Sequence, residues 1–129
     1  MAEGQSTEPP FLLDAARVLA FAVLPRGPDT HFSLVVQGVS LDPRSVSRLV
    51  VAANLVDDAL FLLHCNDSWQ TVAAGPHADA AAARAAAAQA YAGIPIHWIP
   101  YRSLTPEEQR EIEATRAFLR ELAAGGLDQ

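Results

Sequence analysis

The chain has 129 residues, a single cysteine and a formal charge of −6 at neutral pH, and every strongly basic residue is arginine. That length is enough for one domain with a real core, without metals or disulfides to staple it, and Cys65 alone excludes an intrachain disulfide or a thiolate-rich metal site. The lack of lysine excludes Schiff-base chemistry and a phosphate-loop lysine, and the acidic balance argues against non-specific nucleic-acid binding, which needs a basic stripe.

Lysine-free and alanine-rich composition reads as the coding bias of a GC-rich genome. Residues 1–10 are polar, end in Pro9-Pro10, and are expected to form a loose tail ahead of one α+β domain over residues 11–124. No apolar run reaches the roughly 20 residues that a membrane span needs. The longest, Phe11 to Leu24, is broken by Asp14 and Arg17 and preceded by Glu3 and Glu8, so neither a signal peptide nor a membrane partner is expected, and the cytoplasm is the expected setting.

Arg17 to Leu24 is apolar at nearly every position, which periodicity alone cannot assign to strand or helix. The turn residues Pro25-Arg26-Gly27-Pro28-Asp29 that follow favour a strand, and His31 to Val39 resumes as a second one, ended by Asp42-Pro43. Arg48 to Leu55 is a third strand, and Val56-Asp57-Asp58 turns into Ala59 to Cys65. Asn66-Asp67-Ser68 then turns into Trp69 to Ala73. Strands joined by loops this short form an antiparallel meander.

Asp79 is a good N-cap for an alanine-rich helix closing at Gly93, with Ala80, Ala83, Ala87 and Tyr91 on the stripe that faces the sheet. Pro95 leads into a strand over Ile96 to Tyr101. Thr105-Pro106-Glu107-Glu108 then opens the last helix with a cap, a first-position proline and a reciprocating glutamate. Ile112, Thr115, Leu119 and Leu122 make one face of that helix, Phe118 lies beside it, and Gly125-Gly126 ends it. The sum is an α+β fold: a mostly antiparallel sheet of about five to six strands, one Ala-rich helix packed on a face, and a C-terminal helix that caps the sheet or mediates self-association.

Strand alternation sets Leu60, Leu62 and His64 on one face and Phe61, Leu63 and Cys65 on the other. Cys65 thus reads as a small buried hydrophobe rather than a nucleophile, and His64 is on the wrong face to serve as its base. His64, Asp67, His77 and His97 are the residues from which a polar site or a small enzyme would be assembled. None has a diagnostic metal-ligand spacing, and no metal or cofactor is expected. No phosphate loop or nucleophile elbow is present, so no catalytic residue is assigned. Trp69 reads as a core anchor, whereas Trp98 and Tyr101 would form a recognition surface if they lie on an uncovered face. The candidate binding residues are therefore His64, Asp67, Trp98 and Tyr101.

The run Leu62-Leu63-His64-Cys65-Asn66-Asp67-Ser68-Trp69, followed by His77, a capped helix and Tyr91-Ala92-Gly93-Ile94, resembles a pattern in small uncharacterised bacterial proteins. In that group a strand ends in Cys-Asp, a turn leads to Trp-Asn, and a helix closes in Tyr-x-Gly. Arg17 to Val23 and Arg48 to Ala52 are similar to its earlier strands. Gln70 departs from the usual asparagine, as do the alanines that replace charged helix residues. Some small acidic α+β proteins of this kind look like immunity or accessory factors. The expected function is a non-catalytic protein-interaction module with a larger, basic partner. The alternatives are the polar site just named and a homodimer through the last helix.

Overall fold

In the computed structural model, the described residues are 8–24, 34–36, 39–41, 45–91 and 94–125. The elements are β1 (Leu12–Leu13), β2 (Ala16–Val23), β3 (Leu34–Val36), β4 (Val39–Leu41), β5 (Arg48–Asn54), β6 (Leu60–Cys65), β7 (Thr71–His77), α1 (Ala80–Ala90), β8 (Ile99–Pro100) and α2 (Pro106–Gly125). One antiparallel sheet has the order β1-β2-β5-β6-β7, with β8 also paired to β2, and β3 pairs with β4 in a second sheet. This is the expected α+β architecture. No helix among the described residues is long and apolar enough to cross a membrane.

Several local expectations change. The strand expected over residues 31–39 contributes Leu34–Val36 to a short separate hairpin. Residues 31–33 and 37–38 lie outside the described residues, as do Pro25 to Asp29, Asp42-Pro43, Gly93 and Gly126. The strand expected at Ile96 to Tyr101 shrinks to Ile99–Pro100. Of the expected tail, Pro9 is buried, and its carbonyl accepts a 2.8 Å hydrogen bond from the Tyr101 hydroxyl. Beside it, the Arg102 Nε donates to Glu8 at 2.8 Å.

Both β1 and β8 lie along the edge of β2 opposite β5. Leu13 pairs with Ala16 near one end, and Ile99 with Phe21 further along, while the same β2 residues pair with β5 on the other side. A register shift between Val18 and Ala20 leaves Leu19 as an extra residue, which is a β-bulge. The bulge exchanges the faces of β2. Val18 and Phe21 enter one core cluster, and Ala22 and Leu24 enter the other. Apolar residues at nearly every position are the sequence imprint of a strand buried on both sides with such a shift.

On one face of the sheet, Leu49, Val51 and Leu62 pack under Ala83, Ala87 and Tyr91, so the stripe expected on α1 is the buried one. The alanines there let the helix approach closely, and the Asp79 side chain accepts from Ala82 N at 2.8 Å to hold its first turn. On the other face, Val50, Ala52, Leu63 and Cys65 are sealed by Phe21, Trp69 and the partly buried Tyr101. Phe21 meets Trp69 edge-on at 5.7 Å between ring centroids.

The capping box of α2 forms as expected: Glu108 N donates to Thr105 Oγ1 at 3.1 Å, and Thr105 N to Glu108 Oε1 at 2.9 Å. The helix is held to the turn between β5 and β6. Arg116 donates to the Leu55 carbonyl at 3.3 Å and pairs with Asp58 at 3.1 Å, and Arg120 Nε donates to the Val56 carbonyl at 3.0 Å. Ile112 is buried, yet Leu122, expected on the same face, is exposed.

Candidate functional site

The turn that carries Asp67 is built by Asn66. Its Oδ1 accepts from Ser68 N at 2.8 Å and Gln70 N at 3.0 Å, and its carbonyl accepts from Trp69 N at 3.0 Å. Trp69 closes the turn with φ 61°, left-handed backbone that is unfavourable for a residue bearing a Cβ. It is therefore a turn residue rather than the first residue of a strand. Burial of its indole (6 % exposed) against Phe21 holds it there, with the Arg48 guanidinium 4.8 Å over the ring. Asp67 is exposed and accepts a hydrogen bond from the Ser47 hydroxyl.

His64 has the predicted strand face, but that face lies beneath α1. The imidazole is 3 % exposed, and its Nδ1 shares a 2.7 Å hydrogen bond with the Tyr91 hydroxyl. Burial holds its pKa down at about 4, with the charge of His77 adding to the effect, so the ring is neutral at physiological pH. Burial likewise raises the Tyr91 hydroxyl above its ordinary range. The pair is an internally satisfied polar contact between helix and sheet, closed to solvent.

Cys65 points to the opposite core, and burial pushes its thiol up to about 12. A nucleophilic thiol needs the reverse shift. His77 ends β7 opposite Leu60, four residues along the strand from the position that faces His64, and its charge still reaches the buried imidazole. His97 is exposed on the segment before β8. Thus His64 is sealed inside, whereas Asp67 and His97 lie outside. Among the described residues, no three His, Cys, Asp or Glu side chains are placed to hold a metal ion.

Trp98 is half-buried against the α1-side core, with the Arg84 guanidinium 5.8 Å over its ring. Tyr101 is also half-buried. It lies 6.3 Å from Phe21 and is tied through its hydroxyl to Pro9, and burial together with the neighbouring Glu8 pushes that hydroxyl up to about 12. The two aromatics thus pack against opposite cores.

Among the described residues, the most exposed large apolar side chains lie on α2, where Phe118 is 59 % exposed and Leu122 is 53 % exposed. With Glu121 and Gly125 they line a shallow depression. Sequence patterning put Leu122 on one face of the helix with Phe118 beside it, on a helix expected to cap the sheet or mediate self-association. The overlooked signal was their i, i+4 spacing on the side of the helix away from Arg116 and Arg120. No protein-family model matches the chain, and no curated protein or solved structure matches it significantly.

Proposed function

We propose that this chain is a non-catalytic protein-interaction module whose partner-binding surface is the C-terminal half of α2. The observation that supports it most is the exposed Phe118–Leu122 pair on a helix anchored from its opposite side by Arg116 and Arg120. A helix held rigidly by one side and apolar on the other offers a preorganised ridge for a partner. The low pKa of His64 and the high pKa of Cys65 also leave these groups poorly suited to acid–base or thiolate chemistry at neutral pH. An immunity-like or accessory role beside a larger partner in the cytoplasm fits this reading.

The test is a photo-crosslinking side chain placed at position 118 and, as a control, at exposed Ala88 on α1, in protein expressed in its native host. A discrete adduct at 118 and none at 88 is expected. Absence of any adduct at 118, with a monomer by light scattering, would remove the interface reading. Homodimerisation through the same face is the second reading, and it would appear as an adduct of twice the chain mass.

A further inference from the structure

We infer that the partner lays a basic amphipathic helix along α2, an inference that rests on the interface reading above. The distribution of charge around α2 carries it. On a helix of 3.6 residues per turn, Glu107, Glu111 and Glu121 all lie within about 60° of the Phe118 direction. Arg116 and Arg120 lie about 160° away, occupied with Asp58 and the Leu55 and Val56 carbonyls. Arg110, the remaining cation on α2, is about 80° to the side.

The exposed line therefore runs from carboxylates at Glu107 and Glu111, through Ala114, to an apolar end at Phe118 and Leu122 with Glu121 beside them. All of these side chains are exposed. Its complement is a helix with apolar residues at i, i+4 and i+7 and Lys or Arg flanking them. A second copy of this chain fits poorly. Antiparallel pairing about Phe118 would set Glu111 opposite Gly125 and bring no arginine to any carboxylate of the line.

Two synthetic helical peptides test the inference, each with leucines at i, i+4 and i+7, one flanked by lysines and its twin by glutamates. Their binding to the full chain is read by fluorescence anisotropy at low and physiological salt. The lysine peptide is expected to bind at least about tenfold more tightly than its twin, because like charges set face to face cost affinity. Glu111→Lys with Glu121→Lys is expected to reverse that preference, and Phe118→Ser to weaken the lysine peptide; all three positions are exposed, so folding is preserved. Equal binding of the twins, or lysine-peptide binding that ignores Phe118→Ser, would overturn the inference. A partner crosslinked at position 118 through an acidic or non-helical segment would also overturn it while leaving the interface standing.

Discussion

Replacing Trp69 separates two opposed contributions at one residue. Its indole is almost fully buried against Phe21 and under Arg48, so Trp69→Ala should cost about 3–5 kcal/mol through lost burial and the cavity left behind. Trp69→Gly loses the same ring. At an ordinary position glycine would be a further 0.5–1 kcal/mol or so worse than alanine, because it loses more backbone freedom on folding. Position 69 has φ 61°, where a Cβ itself costs roughly 1–2 kcal/mol. The two terms oppose, and the difference should favour glycine by about 0.5–1 kcal/mol. Within the usual range of about 5–15 kcal/mol, a domain stable by more than about 6 kcal/mol should remain folded in both variants. Urea titrations followed by far-ultraviolet circular dichroism would give both values. A glycine variant less stable than the alanine variant would refute the account of strain, and a Trp69→Ala cost below about 1 kcal/mol would refute the account of burial.

Ala15 occupies the second position of the two-residue β1–β2 loop, where both Asp14 (φ 51°) and Ala15 (φ 62°) are left-handed; Ala15→Gly should raise stability by about 0.5–1 kcal/mol in the same titration. His64 gives a pH dependence of definite sign. Its folded pKa, about 4, lies below the ordinary 6.5, so the unfolded chain takes up a proton first, and stability is full above 6.5 and declines as pH falls through that window. The loss should approach about 3 kcal/mol at most, and a His64→Gln variant with the same acid slope as the native chain would contradict this. Cys65 should react with a disulfide reagent at pH 8 at least about 100-fold more slowly in the folded protein than in urea, since its thiol is buried and protonated; comparable rates would show that the strand opens readily.

Features set by neighbouring residues were legible in the sequence. Thr105 and Glu108 announce the capping box, Asp79 the start of α1, and the short loops the β5-β6-β7 meander. Alternation correctly separated His64 from Cys65. Features set by distant contacts were not. The bulge at Leu19 depends on how β2 meets β5, and no local pattern marks where register will slip. Nothing near Trp69 forecasts left-handed backbone for so large a residue, because the compensation comes from Phe21 and Arg48 in other strands. The coverage of His64 was missed for a related reason, since alternation gives a face without saying what lies over it. On α2, the apolar spacing marked one face through Leu122 without saying whether it caps the sheet or self-associates; the arginines that grip the β5–β6 turn orient the helix and leave its end uncovered.

The shared edge of β2 bears on how the chain is made. Synthesis runs from the N-terminus, so β2 emerges long before Ile99 to Tyr101, and the clasp between Tyr101 and Pro9 joins positions 92 residues apart. Until that late segment arrives, part of the β2 edge has backbone donors and acceptors with no strand to meet them, the condition under which strands from different chains pair. Closing so long a loop is also slow compared with forming the neighbouring meander. The nascent protein therefore passes through an interval of exposed edge whose length is set by translation and closure rather than by its final stability, and an N-terminal truncation through Leu13 would make part of that exposure permanent.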